Sequence, residues 1–161
     1  MHNETESRSS GVHLWLLLWK ASKAVETYAR GSVKSTGLGL SDFGILEALF
    51  HKGPLSVSAL GKKVLLSSGS ITTAVDRLER NGLVERDSDA TDRRARIVHL
   101  TREGKTLIRK VFAEHERDME RVFARLQRRE RNSLGVLLRK LGRETDALHA
   151  EERIEEKKKR R

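Results

Sequence analysis

The chain has 161 residues, enough for one domain with its own core, with or without helical extensions. Its 33 Lys and Arg residues against 23 Asp and Glu give a formal net charge of +10, which predicts a polyanionic partner, either nucleic acid or an acidic membrane surface. The absence of cysteine excludes disulfides, thiolate zinc sites, thiol nucleophiles and thiol redox sensing, and it agrees with a cytoplasmic location.

The first predicted element is an amphipathic helix from about Val12 to Gly31. Its apolar run, Leu14 to Trp19, is much shorter than the ~20 residues that span a bilayer, and the segment before it lacks the positive region of a secretory signal. We therefore expect no membrane association. One stripe at helical spacing predicts packing against protein: Leu14, Leu18, Ala21, Val25 and Tyr28.

Three helices are predicted next, each with a possible serine cap. Ser41 is expected to cap a helix that carries Phe43, Leu46, Leu49 and Phe50 and that ends at Lys52-Gly53-Pro54. Ser56 is expected to cap a short helix that buries Val57, Leu60 and Val64. Ser67 is expected to cap the third helix, which Gly82 terminates because glycine adopts a left-handed conformation at little cost.

A β-hairpin and two long helices complete the chain. The segments 82–87 and 95–100 are predicted to pair as strands around an acidic turn. Thr101 is expected to cap a helix with Ile108, Phe112, His115, Met119, Val122 and Leu126 on one face. A last helix, from about Glu130, carries Leu134, Leu137, Leu138, Leu141 and Leu148, and the charged tail 149–161 ends as either a fraying helix or a disordered segment.

The predicted order of elements, two short helices joined by a tight turn and followed by a hairpin with a basic tip, is that of a winged helix-turn-helix. In the second of these helices, Ile71, Val75 and Leu78 recur at core spacing, which leaves a polar face of Ser68, Ser70, Thr72, Thr73, Arg77 and Arg80. Small hydroxyl side chains near a helix start allow close approach to DNA phosphates, and an arginine one turn later has the length to contact a guanine edge. The alternative is an ordinary surface helix with a Ser/Thr-rich start.

The hairpin tip carries Arg93, Arg94 and Arg96, and long cations on a protruding ribbon suit a narrow minor groove. As an alternative, Asp87, Asp89 and Asp92 neutralise these arginines within a solvated turn.

The spacing Asp92-x-Arg94-x-x-x-x-x-Leu100-Thr101 resembles the wing signature of the MarR family of bacterial transcriptional regulators. The segment from Val75 to Arg86 is similar to the family's recognition helix leading into its wing, and the resemblance covers residues 12–148. It implies a mainly α fold with a small β-hairpin wing: a winged helix-turn-helix at 41–101 and dimerisation helices at 12–31 and 102–148. It also implies a homodimer on a pseudo-palindromic operator in double-stranded DNA, with the 67–81 helix in the major groove and the wing in the minor groove.

The predicted DNA-binding residues are Ser67, Ser68, Ser70, Thr72, Thr73, Arg77, Arg86, Asp92, Arg93, Arg94 and Arg96. The apolar stripes of the first and the two last helices independently favour a homodimer, because one small winged domain does not cover them; the alternative is an intramolecular bundle.

The resemblance further implies a repressor that a small aromatic or phenolic compound releases from DNA. Candidate residues of the effector pocket are Trp15, Trp19, Phe50, His51 and Phe112, and the alternative for each is a plain core residue. No metal site is expected, because no pair of histidines has the short spacing of a metal motif, and no cofactor is expected. An enzyme is disfavoured by the absence of phosphate-loop, HExxH and nucleophile-elbow motifs. An effector-independent architectural DNA-binding protein is the alternative, and the basic C-terminal half would suit it.

Overall fold

A computed structural model describes residues 10–88 and 96–160. Its elements are α1 (Gly11–Lys34), α2 (Leu40–Lys52), β1 (Leu55–Ser56), α3 (Val57–Lys63), α4 (Ser68–Arg80), β2 (Val84–Ser88), β3 (Arg96–Leu100), α5 (Arg102–Val122) and α6 (Arg128–Lys159). The predicted fold class, mainly helical with a winged helix-turn-helix, is confirmed.

The core lies between α2, α3, α4, the small sheet and the first half of α5. Ile71, Val75 and Leu78 of α4 are all at most 1% exposed, which confirms their predicted orientation. In α3, Leu60 and Gly61 are buried, while Val57 and the C-cap residue Val64 pack against the core but are only partly buried.

The serine caps of α3 and α4 are confirmed, but that of α2 is wrong. The hydroxyl of Ser56 accepts from the backbone N–H of Ala59 at 3.2 Å. Helix α2 begins one residue before Ser41, and its N-cap is Gly39, which has no side chain to accept a hydrogen bond. A carboxylate in the first turn, Asp42, provides the negative charge that a helix start favours. The predicted stop is confirmed, with Gly53 at φ 77°.

The sheet has three antiparallel strands in the order β1-β3-β2. Val84 pairs with Leu100 and Arg86 with Val98, as expected of the hairpin. The third strand, Leu55–Ser56, pairs with Ile97 and Val98 and was not predicted, because two residues are too few to show an alternating pattern.

The start of α5 is joined to the turn that follows α4. Thr101 caps α5 as predicted, since its hydroxyl accepts from the Gly104 N–H at 3.0 Å, and it also donates to the Gly82 carbonyl at 2.7 Å. A Cβ on Gly104 would lie 1.9 Å from the carbonyl oxygen of Leu83. The backbones therefore touch, and only glycine fits at position 104.

The chain divides into two compact units, one ending at Met119 and the other beginning at Glu120. In the second unit, Gln127 and Glu130 form a capping box for α6, and Arg131 pairs with Glu120 at 2.6 Å. Helix α6 starts at Arg128 and continues to Lys159, so residues 149–159 of the charged tail are helical, which agrees with the helical alternative of the prediction and not with the disordered one. No helix within residues 10–88 and 96–160 has the length and apolarity needed to cross a membrane.

Candidate nucleic-acid interface

The turn between α3 and α4 exposes the start of α4. The Ser67 hydroxyl caps α4 by accepting from the Ser70 N–H at 3.3 Å, and it donates to the Ser70 hydroxyl at 2.9 Å. A Cβ on Gly61 would lie 3.3 Å from the side chain of Ile71, so α3 and α4 approach closely. The tight packing fixes the direction in which α4 presents its first turn.

Hydroxyl groups cover the exposed side of that first turn. Thr72 and Thr73 donate to the carbonyls of Ser68 and Gly69 at 2.9 and 3.0 Å. These bonds use the proton of each hydroxyl, and rotation of a hydroxyl redirects that proton toward an approaching phosphate. A shallow depression at the same end of α4 is lined by residues that include Ser41, Ser67, Ser70, Thr73 and Arg77.

The turn between α3 and α4 lies in a long stretch of chain that contains no carboxylate. No Asp or Glu occurs between Glu47 and Asp76, whereas Lys52, Lys62 and Lys63 are all exposed there. The side chains of this stretch therefore do not repel a polyanion. The net charge of the segment 55–101 does not reveal this stretch, because all acidic residues of that segment occur from Asp76 onward.

Arg77 is held by a buried carboxylate that sequence reasoning did not identify. Its Nε donates to Asp42 Oδ2 at 2.9 Å and its Nη2 to Asp42 Oδ1 at 2.6 Å, and Asp42 is only 6% exposed. The hydrogen bonds and the charge of Asp42 raise the pKa of Arg77 further above its ordinary value. The pair joins α2 to α4 and leaves Nη1 on the outer edge of the guanidinium. An acidic residue within the apolar sequence of α2 was the available signal.

Arg86, the first predicted contact on the hairpin, is bonded within the protein. Its Nη1 donates to Glu79 at 3.0 Å and its Nη2 to Asp76, and only 21% of its side chain is exposed. Both carboxylates belong to α4, so Arg86 ties β2 to the helix. Its position favours a role in holding the wing rather than a direct contact with DNA.

The remaining predicted wing residues are only partly described. Arg96 is exposed at the start of β3, opposite Ser88 of β2. The predicted residues Asp92, Arg93 and Arg94 lie outside the described residues. Asp87, one of the carboxylates considered as a partner for the tip arginines, lies 3.1 Å from His99 Nε2.

The residues predicted to form an effector pocket separate into two groups. Trp15 and Trp19 stack on each other on α1 with ring centroids 6.2 Å apart and are more than half exposed. Phe50, His51 and Phe112 form a cluster, with 4.7 Å between the rings of His51 and Phe112.

A cleft of about 610 Å³ in the first unit includes only one of those five residues, His51. Its other lining residues include Glu26, Arg30, Phe43, Glu47 and His115. His115 Nδ1 lies 2.6 Å from the Ser32 hydroxyl, and its ring packs against Phe43 at 4.6 Å. Burial lowers the pKa of His115, an effect that the charges of Glu47 and Asp118 oppose.

Comparisons with known proteins identify the family of this chain. The MarR family matches residues 38–95. The uncharacterized HTH-type transcriptional regulator YkoM of Bacillus subtilis is 34% identical over 140 residues, which cover 87% of this chain and 90% of the relative.

Two solved structures share the fold. Sco3205, a MarR family transcriptional regulator from Streptomyces coelicolor in complex with DNA, has a TM-score of 0.75 at 26% identity over 80% of this chain and 83% of its own. BpsR of Bordetella bronchiseptica, whose DNA binding is regulated by 6-hydroxynicotinic acid, has a TM-score of 0.73 at 25% identity over 80% of this chain and 98% of its own. The chain belongs to the MarR family and is a DNA-binding transcriptional regulator with a winged helix-turn-helix.

Proposed function

We propose that this regulator is a homodimeric repressor that binds a pseudo-palindromic operator and is released by a small hydroxylated aromatic compound. The observation that carries the DNA-binding part is the exposed, hydroxyl-rich start of α4 in a stretch of chain without carboxylates. Helix α4 lies in the major groove, where Ser67, Ser68, Ser70, Thr72 and Thr73 contact phosphates and base edges.

The two arginines bonded within the protein have different roles in this proposal. Asp42 uses the Nε and Nη2 donors of Arg77, so the remaining outer edge, with Nη1, is available to a phosphate or to a guanine. Arg86 keeps β2 at a fixed angle to α4 through its bonds to Asp76 and Glu79.

The wing completes the interface by placing Arg93, Arg94 and Arg96 in or beside the minor groove, with Asp92 positioning Arg94. Arg94→Ala should weaken binding strongly, with its main effect on affinity, because the minor groove distinguishes little beyond A·T from G·C. Fluorescence anisotropy with an operator, selected by the wild-type protein from random duplexes, and with a scrambled duplex measures this. Lys20→Ala, on the exposed surface of α1, is the control for a lost positive charge. If Arg94→Ala binds as tightly as Lys20→Ala, the wing does not contact DNA.

Dimerisation is proposed because two helices expose apolar faces. On α1 these are Val12, Leu14, Trp15, Leu17, Leu18, Trp19 and Tyr28, and on α6 they are Leu134, Val136, Leu137, Leu138, Leu141, Leu148 and Ile154. Exposed faces with this many large apolar side chains are typical of protein–protein contacts, and a second copy of the chain would bury them. Light scattering at micromolar concentration should give twice 18.3 kDa, and a stable particle of 18.3 kDa would contradict the dimer.

The effector is proposed to bind in the cleft lined by Phe43, His51 and His115. Its volume of about 610 Å³ suits a small molecule, an aromatic ring provides an apolar wall, and Arg30 and the histidines provide polar groups. The regulation of BpsR by 6-hydroxynicotinic acid makes hydroxylated aromatic acids the first compounds to test. A bound effector should raise the melting temperature of the protein and lower its affinity for the operator.

Phe43→Leu keeps an apolar side chain and tests the cleft, while Thr106→Ala, at an exposed position of α5 outside the lining of the cleft, is the control. If the compounds shift neither melting nor DNA binding, the alternative of an effector-independent architectural protein is favoured. Such a protein would bind random duplexes nearly as tightly as the selected operator.

A further inference from the structure

The turn between α3 and α4 contains a residue in an unfavourable backbone conformation. Leu65 has φ 55°, and among the residues that the structure describes it is the one non-glycine residue with positive φ. In the left-handed region the Cβ of an L-residue crowds the following carbonyl, a strain that glycine does not have. The turn imposes this conformation, because the Leu66 N–H donates to the Gly61 carbonyl at 3.0 Å.

Packing within the protein does not compensate for this strain. Leu65 is 91% exposed, the highest value among its large exposed hydrophobic residues, whereas the adjacent Leu66 packs against the core. A large apolar side chain that stays in water contributes no burial energy. In the isolated protein, glycine or asparagine at position 65 would fit the turn better than leucine.

The surroundings of Leu65 indicate what covers it. Exposed Lys62 and Lys63 precede it, and exposed Ser67 caps α4 two residues later. A DNA backbone alternates phosphates, which cations, hydroxyls and helix starts bind, with deoxyribose rings, whose carbon-rich faces accept an apolar side chain. An apolar side chain between cations and hydroxyls matches this alternation.

We propose that Leu65 is a DNA-contacting residue that packs on a deoxyribose of the DNA backbone beside the start of α4. This inference rests on the proposed placement of α4 in the major groove. When DNA covers the side chain of Leu65, the burial of that side chain offsets the backbone strain, which packing within the protein does not.

The test uses Leu65→Gly and Leu65→Asn, which relieve the strain and remove the apolar side chain, together with Leu65→Met, which keeps an apolar side chain. The melting temperature of the glycine and asparagine variants should equal or exceed that of the wild type. Their affinity for duplex DNA should fall about tenfold, equivalent to ~1.4 kcal/mol, whereas Leu65→Met should bind within about threefold of the wild type. Loss of affinity without loss of stability is not expected from a purely structural role.

The loss should be the same for the selected operator and a scrambled duplex, because deoxyribose carries no sequence information. Unchanged affinity in Leu65→Gly overturns the proposal, and a loss confined to the operator overturns the backbone contact in favour of a base contact. A changed molecular mass in light scattering without DNA would assign Leu65 to a protein contact instead.

Ser70→Ala separates this inference from the proposed function. If Ser70→Ala weakens binding and Leu65→Gly does not, only the role of Leu65 is wrong. If neither variant weakens binding, the placement of α4 in the major groove is wrong as well.

Discussion

The ion pair between Asp42 and Arg77 predicts an unequal effect of removing either partner. Arg77→Ala leaves the Asp42 carboxylate buried at 6% exposure without its two charged hydrogen bonds. Removing one partner of a fully buried pair typically costs about 3–5 kcal/mol, and we expect the low end of this range here because Arg77 is partly exposed. Asp42→Ala leaves Arg77, whose side chain is 44% exposed and regains water, so we expect a smaller loss of about 1.5–3 kcal/mol.

The double variant Asp42→Ala/Arg77→Ala sharpens the prediction. It contains no unpaired buried charge, so its free energy of unfolding should exceed that of Arg77→Ala alone although it lacks one more side chain. Arg77→Lys should fall between the wild type and Arg77→Ala, because an ammonium group cannot make two parallel bonds to the carboxylate.

Urea unfolding followed by circular dichroism measures these differences, at one fixed protein concentration because dimerisation would make stability depend on concentration. Each kcal/mol lowers the melting temperature by about 2–4 °C in a chain of this size. If Arg77→Ala is no less stable than Asp42→Ala, or if the double variant is the least stable of the three, the buried-carboxylate argument is refuted.

Three further predictions concern pH, packing and the C-terminal tail. Burial lowers the pKa of His115, so the unfolded chain binds this proton at a higher pH than the folded chain does. The free energy of unfolding is therefore undiminished above the unfolded pKa of about 6.5, and it decreases as the pH falls from that value toward the folded pKa. Urea unfolding between pH 5 and 8 should therefore show a shallower decline in His115→Asn than in the wild type, and parallel curves would contradict this. Gly104→Ala should lower the melting temperature by more than about 5 °C, because its Cβ would lie 1.9 Å from the Leu83 carbonyl oxygen, while Gly142→Ala, with nothing within 4 Å, should leave it unchanged or higher. Deletion of residues 157–161 should lower affinity for all duplexes alike and flatten its salt dependence; a loss specific to the operator would be inconsistent with diffuse attraction.

The elements that sequence predicted correctly are those with local causes. The hydroxyls of Ser56, Ser67 and Thr101 each cap a helix through a residue three positions later. The core face of α4 follows from the helical repeat alone. The cap of α2 was wrong because several residues near position 40 are compatible with a helix start, and backbone geometry selected Gly39.

The features that sequence missed depend on distant partners. Arg77 pairs with a carboxylate 35 residues earlier in the chain, and β1 exists only because it lies against β3. A local pattern shows that an arginine faces outward but not whether a folded neighbour already binds it. The conformation of the charged end of α6 was left open for a different reason, because acidic residues followed by basic ones are compatible with both a solvated helix and disorder.

The joint between Thr101, Gly104 and the turn at Gly82 and Leu83 has a consequence for protein engineering. Its two sides are about twenty residues apart in sequence, yet they share hydrogen bonds at 2.7 and 3.2 Å and a backbone contact that admits no side chain. A chimera that grafts another regulator's DNA-binding segment onto this chain should therefore cross over inside α5 beyond Gly104, and before α2 in the connector 35–39. A crossover between β3 and α5 would take the turn at Gly82 and Leu83 from one protein and the start of α5 from the other. Their hydrogen bonds and backbone contact would no longer match, and the graft would lose the geometry on which its specificity depends.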